Sequence, residues 1–387
     1  MRNRNGSAWL VSAHLFTSET PMNPRLAPAL ALGLIAHSTP LLLGQGALTP
    51  PGAPAPTLKT LTQVEPRADV QKLAGDASNL FIINQPGSYY LTTNINGAVG
   101  KSGILIQASN VVLDLNGFAL IGVGGALKGI IVSGSQVNVA VRNGTVQNWP
   151  GDGVDLSPVI GSAISDLLVF GNTGIGISTG DTGLVNACTS RQNGGDNIRT
   201  GSQAVITKCS AIQSTLGNGI NTGGYSLISQ CLANFNNQHG IRCIQRCHVS
   251  DCIATNNSQS GVQINVAGTV ERTFCNQNAV CGILSDAGGF VDILNNNSSG
   301  NGGSAGAGIR VNNAGANRIE GNNVGQNFIG IDVLSGRNVI FRNVAIANTT
   351  DYNIVGGNTH GPIINAIGAG DVSAVVGADH PFTNFRY

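Results

Sequence analysis

Asn197-Ile198-Arg199, Gly219-Ile220-Asn221, Gly240-Ile241-Arg242, Gly261-Val262-Gln263 and Gly282-Ile283-Leu284 are one phrase, returning at intervals of 22, 21, 21 and 21 residues. A small residue comes first, then an aliphatic one, then a residue of any kind. Upstream the phrase continues as Gly176-Ile177, Gly153-Val154, Gly129-Ile130 and Gly103-Ile104; downstream it runs through Gly308-Ile309, Gly330-Ile331 and Asn353-Ile354. A near-constant period held this long is the mark of a solenoid. Within each period, stretches such as Gln136-Val-Asn-Val-Ala-Val-Arg142 and Gly330-Ile-Asp-Val-Leu334 alternate with period two and end in Asn, Gly or Ser. Alternation of that kind is strand and turn chemistry, and no helical period interrupts it. Three short strands and three turns fill about 22 residues. The expected fold is therefore all-β, a right-handed parallel β-helix of about 11–12 coils, since parallel crossovers take that hand. At roughly 4.8 Å per rung the rod is about 50 Å long.

Composition agrees. Of 387 residues, 54 are Gly, 41% are hydrophobic and only 10% are charged, with 20 Lys and Arg against 19 Asp and Glu. A charge balance near zero excludes a basic nucleic-acid binder, and the abundance of Val, Ile and Leu excludes a disordered chain.

The N-terminus reads as an address. Residues 1–21 are patternless, and Met22 reads as the true start, leaving them as a mis-assigned extension. Arg25 then precedes the apolar run Leu26–Ala36 and Leu41-Leu42-Leu43, with Gly44 and Gly46 at the spacing a signal peptidase reads. Pro28, His37 and Pro40 break the stretch, which favours a cleaved signal over residues 22–47 rather than a membrane span. Residues 48–79 form a Pro-rich arm, residues 80–356 the β-helix with its N-terminal cap, and residues 357–387 a capping tail. No stretch of the mature chain is apolar and long enough to cross a membrane as a helix.

Ladders test the coil alignment. Cys188, Cys209, Cys231 and Cys252 recur nine or ten residues before the small residue, and Asn172, Asn193, Asn236, Asn257 and Asn278 recur four before it. Stacked amides satisfy turn N–H groups that a buried bend would orphan. Stacked thiols serve as small buried hydrophobes. Rungs about 4.8 Å apart also permit disulfides, so free and bridged states both stay open. Cys243 and Cys247, flanking a turn, are the best local bridge.

The chain resembles the right-handed β-helix superfamily that includes pectate lyases and polygalacturonases. More narrowly, Pro50-Pro-Gly-Ala-Pro-Ala-Pro56, Pro86-Gly-Ser-Tyr-Tyr-Leu91, Val112-Leu-Asp-Leu-Asn-Gly-Phe118, Val141-Arg-Asn-Gly-Thr145 and His380-Pro-Phe-Thr-Asn-Phe385 resemble a family of exported bacterial β-helix proteins without an assigned activity. The resemblance implies a secreted, periplasmic or surface location, and it implies fold more than function. Polygalacturonases carry Gly-His-Gly after an Asp-Asp pair. Here Gln238-His239-Gly240 follows Gly217-Asn218, and no Arg-Ile-Lys comes after it.

Outward residues two positions after the small residue form a stripe: Leu105, Ile131, Asp155, Ser178, Arg199, Asn221, Arg242, Gln263, Leu284, Arg310, Asp332 and Val355. One position before it stand Asp152, Asp196, Asn218 and His239. In a chain so poor in charge, this concentration is the candidate site. Arg199, Arg242 and Asp155 are the candidate catalytic groups, with Asp152, Asp196, His239 and Asn221 as substrate contacts. Arginines suit carboxylates or sulfates, and the resemblance to β-eliminative lyases gives Arg199 or Arg242 the role of base. The expected partner is an extended, acidic polysaccharide or cell-surface glycan, bound or cleaved; a lyase, a glycoside hydrolase and an inert structural exoprotein all remain open. No cofactor or metal site is called for, and Ca²⁺ is the ion the Asp residues would suit. Trp149, Tyr225, Phe235 and Phe328 are too scattered for a sugar-stacking platform.

Overall fold

The computed structural model describes residues 64–387 apart from Ala314 and Ala369. The signal, the extension before it and the first half of the Pro-rich arm lie outside the described residues. Those described form one right-handed parallel β-helix of about 14 turns of ~22 residues. No described helix is long and apolar enough to cross a membrane.

Each coil contributes one strand to each of three parallel sheets. In one coil these are Ile198–Thr200, Val205–Thr207 and Ser210–Ile212; in the next they are Ile220–Thr222, Leu227–Ser229 and Leu232–Asn234. They pair in register with the corresponding strands above and below. The extra turns relative to the sequence expectation come from both ends. Thr359–His360, Ile363–Asn365 and Asn384–Arg386 of the tail join the sheets, and so do residues before the first repeated phrase. Ala68–Asp69, Asn79–Ile83 and Gly87–Tyr90 are already coil strands, paired with Gly87–Tyr90, Ser102–Ile106 and Val111–Asp114 respectively.

The core is three stacked columns. Ile177, Ile198, Ile220, Ile241 and Val262 line the first sheet, and Val185, Ile206, Ile228, Val249 and Val270 line the second; all are fully buried. The third sheet turns Ala211, Ala233, Ala254 and Cys275 inward instead, so the triangular section narrows on that side. Branched side chains stacked on their own kind fill a uniform cross-section, which is why the phrase repeats so strictly.

Corners explain the rest of the period. Each turns on one residue in the left-handed region, and most of these are not glycine: Ala187, Lys208, Gln230, Asp251 and Arg272 at one corner, and Gln192, Gln213, Phe235, Asn256 and Gln277 at the next. The strain is offset by Asn ladders. Asn257 and Asn278 each present Oδ1 to the backbone N–H and the amide Nδ2 of the Asn one rung before, at 2.9–3.1 Å. The ladder extends to Asn301, Asn327 and Asn348. Where Ser214 interrupts it, Asn197 leans across and donates to Asn236 Oδ1 at 3.0 Å.

Trp149 is not an outward aromatic. It is fully buried, and its ring occupies space left by Gly97, Gly103 and Gly129; a Cβ on Gly103 would stand 3.0 Å from the indole. At the C-terminal end, Asn384–Arg386 inserts in parallel between Val344–Ile346 and Ile363–Asn365. Asn384 thereby supplies a further rung to a second Asn ladder through Asn296, Asn322 and Asn343.

Candidate functional site

The stripe is real over most of its length. Strand register makes Leu105, Ile131, Asp155, Ser178, Arg199, Asn221, Arg242, Gln263, Leu284, Arg310 and Asp332 successive rung neighbours on the first sheet. Its last member is Asn353, not Val355, because Ile331 pairs with Tyr352. An irregular coil with Tyr in place of Ile shifts the phrase there by two residues.

Asp152 and Asp155 do face one another's partner. Their Oδ2 atoms each lie 2.7 Å from Lys128 Nζ, which takes the position a divalent cation would need. Asp152 Oδ1 also accepts from Ile175 N at 2.7 Å, and Asp155 Oδ1 from Ser157 Oγ at 2.6 Å. Burial works to raise the Asp155 pKa, but the bonds from Lys128 and Ser157 outweigh it and leave the carboxyl below its usual range. Lys128 is desolvated too, yet the two carboxylates hold it above the ordinary lysine value. Lys128 stands one residue before Gly129, in the same row as Asp152 one rung on; that position was the available signal for it.

Asp196 anchors the second cluster and is 2% exposed. It accepts from Asn218 N (2.7 Å) and Nδ2 (2.9 Å), from Asn221 Nδ2 (2.9 Å), and from Arg199 Nε and Nη2 (both 2.7 Å). Burial opposes its charge, but these donors overcome that and lower its pKa. Arg199 is thus committed to Asp196 by a two-pronged ion pair, the geometry of a positioned cation rather than a free base.

Arg242 differs. Its one hydrogen bond is a long one, Nη1 to Asn221 Oδ1 at 3.4 Å, and among the described residues no carboxylate pairs with it. Beside it His239 accepts from Ser260 N at Nδ1 (3.2 Å), which puts the ring proton on Nε2 in the neutral form. Burial, then the charge of Arg242, lowers the His239 pKa to about 4. Gln263 continues the row, donating to Asp286 Oδ2 at 3.2 Å, while Asn312 donates to Asp286 Oδ1 at 2.8 Å. Asp286 sits in an irregular stretch outside the repeated phrase, so no spacing pointed to it. Farther on, Arg310 and Asp332 pair at 2.7 Å.

Two open depressions adjoin the stripe. One of about 460 Å³ has apolar walls from Leu127, Ile131, Val132 and Pro150, with Lys128 and Asp155 at its edge. The other, about 350 Å³, lies between the Ser157–Ile160 turn and Ser178, Thr179 and Arg199. Thr179 lines it with a buried hydroxyl that has no hydrogen-bond partner.

No protein-family model matches this chain, and no curated protein matches it. Solved structures do. The A-module of the mannuronan C-5 epimerase AlgE6 of Azotobacter vinelandii is 13% identical with a TM-score of 0.48, over 76% of this chain and 97% of that one. The A-module of AlgE4 from the same organism gives 14% identity and a TM-score of 0.44, over 71% and 90%. Pectate lyase Pel9A gives 14% and 0.35, over 66% and 68%. What is shared is the coiled architecture.

The residues singled out by spacing share one face, and the structure sorts them into groups. Asp152 and Asp155 meet on Lys128; Asp196, Arg199 and Asn221 form one network; His239 and Arg242 make a third group. None of the three contains two carboxylates with a free gap between them, which hydrolysis by acid and base requires.

Proposed function

We propose that this chain is an exported protein that binds an extended, acidic polysaccharide across the stripe from Asp155 to Gln263. The observation that carries the reading is Arg242, a guanidinium on this sheet without a carboxylate partner among the described residues, set beside the neutral Nε2–H donor of His239. A carboxylate of the polymer would take the fork of Arg242 and the His239 proton. The Asn221 amide, one rung before, donates to Asp196 and accepts from Arg242, and so steadies the guanidinium. Rungs spaced at about 4.8 Å let successive sugars meet successive coils.

Binding fits better than cleavage. Asp155 and Asp196 are held ionised by their partners, so neither is poised to protonate a leaving group. Arg199 is engaged by Asp196. The test is affinity electrophoresis of the chain in gels containing polygalacturonate, alginate or a neutral glycan, with reducing ends and unsaturated-uronate absorbance followed in parallel. Retardation by a polyuronate, lost in Arg242→Ala with the circular dichroism unchanged, is the expected result. New chain ends that vanish with Arg242→Ala would replace it with the lyase reading. No retardation on any glycan and no new ends would overturn both.

A further inference from the structure

We infer that the column of four thiols Cys188, Cys209, Cys231 and Cys252 closes into two rung-to-rung disulfides, Cys188–Cys209 and Cys231–Cys252, when the chain folds in the presence of a disulfide oxidant. This lies apart from the stripe and does not depend on glycan binding.

The geometry is repetitive. The residues that follow each cysteine pair in register, Thr189 with Ser210, Ser210 with Leu232, and Leu232 with Ile253. The residue before each is left-handed with nearly the same φ, 51° at Ala187, 55° at Lys208 and Gln230, and 54° at Asp251. Four identical corners send four Cβ atoms inward in parallel, one rung apart. A rung of about 4.8 Å lies inside the Cα range of disulfides and somewhat wide at Cβ, so each bridge draws its two rungs slightly together. Each Sγ faces a carbonyl oxygen of the rung before, at 3.5–3.8 Å, so the four sulfurs repeat one placement along the column. Each Sγ also lies 3.1–3.3 Å from the carbonyl oxygen two residues earlier, a weak bond that is cheaply given up.

Pairing follows from the column's ends. Leu167 precedes it and Thr273 follows it at the same corner position, so an even set of four is bounded by residues that cannot bridge. Joining Cys209 to Cys231 would strand Cys188 and Cys252 three rungs apart; joining the outer pairs leaves none over. In a buffer that permits exchange, full pairing prevails. Per bridge, two thiols lose two protons and two electrons, an S–S bond forms, and one oxidised glutathione becomes two glutathione thiols. All four cysteines are at most 2% exposed, so the reaction belongs to folding, before the coils close, and not to the finished rod. The molecule carries its own controls. Cys275 has Ala254 and Ser298 as rung neighbours, and Cys281 has Ala307, so neither has a thiol to join. Cys243 and Cys247 are already a disulfide.

The experiment refolds the reduced full chain in oxidised and reduced glutathione, alkylates what remains, and maps unreduced peptides by mass spectrometry. Of the eight cysteines, Cys275 and Cys281 alone should be alkylated. Cys209→Ala should add Cys188 to them and keep Cys231–Cys252; Cys188→Ala should add Cys209 instead. Alkylation of all four column cysteines in refolded protein that has formed Cys243–Cys247 would overturn the inference. So would a predominant Cys209–Cys231 bridge.

Discussion

Replacing Asn257 by Ala removes one rung from the longest amide ladder, and the structure sets the cost. Asn257 is 1% exposed. Its Oδ1 accepts from Asn236 N (3.0 Å) and Asn236 Nδ2 (2.9 Å), and its Nδ2 donates to Ala233 O (3.1 Å) and Asn278 Oδ1 (2.9 Å). Alanine leaves the Asn236 backbone N–H buried with no acceptor. A stranded donor of that kind costs about 1–3 kcal/mol, and the three other hydrogen bonds lost with it bring the total to at least about 3 kcal/mol. With a urea slope of about 3 kcal/mol/M, the midpoint followed by circular dichroism falls by about 1 M at unchanged slope. Asn237→Ala, one residue on and exposed, is the control and should move it by less than about 0.2 M. A midpoint for Asn257→Ala within that control range would refute the view that the ladder holds the corners.

Three other changes probe different parts of the rod. His239 titrates near 4 in the fold against 6.5 when free. As pH falls through that window the unfolded chain takes the proton first, so stability is full above 6.5 and declines by about 2–3 kcal/mol on reaching 4; in His239→Gln, urea midpoints against pH should lose this slope. Asp196→Ala removes the acceptor shared by Asn218, Asn221 and Arg199 and should cost about 3 kcal/mol at pH 7 by the same assay. Since the Asp196 pKa is lowered by folding, its contribution is present above about pH 4 and disappears as pH falls through the folded value, so the variant and the parent should converge in acid. Gly103→Ala would drive a Cβ against the Gly129 carbonyl and the Trp149 ring, lowering stability by about 1–3 kcal/mol and altering tryptophan fluorescence.

Solenoids are unusually legible because one coil position recurs in every turn, and any column that wants a particular residue announces it. The Ile column, the Asn ladder from Asn172 to Asn278 and the Cys column were all visible as spacings. Coils whose periods lengthen were not: Asn301 and Asn327 belong to the same ladder but stand seven and three residues before their small residues instead of four. The first coils hid for another reason, since Phe81-Ile-Ile83 and Tyr89-Tyr90 carry strand character without the small-residue phrase. Within the site, sequence spacing fixed which residues share a face because period-two alternation does so. It could not show which cation meets which carboxylate. Lys128 reaches Asp152 and Asp155 from the rung before, while Arg199 folds back onto Asp196 within its own coil. That choice is made by side-chain length and rotamer.

The same stacking that rewards uncharged columns penalises charged ones, and this shapes what the stripe can recognise. Identical amides on adjacent rungs bond to each other. Two like charges one rung apart, about 4.8 Å, repel by roughly 3 kcal/mol at an effective dielectric near 20. The stripe avoids this arrangement: Asp155, Arg199 and Arg242 are separated by the neutral Ser178 and Asn221, and the adjacent charged pair, Arg310 and Asp332, is of opposite sign and joined at 2.7 Å. Arg199 and Arg242 therefore stand two rungs apart, near the distance over which salt screens them. A surface built under that constraint cannot be a continuous basic track. With Arg199 paired to Asp196 and Arg310 to Asp332, Arg242 is the cation of the stripe without a carboxylate partner among the described residues. Under the proposed reading an acidic polymer would be gripped by charge at Arg242 alone, and its binding should weaken with salt far less steeply than binding to a row of arginines.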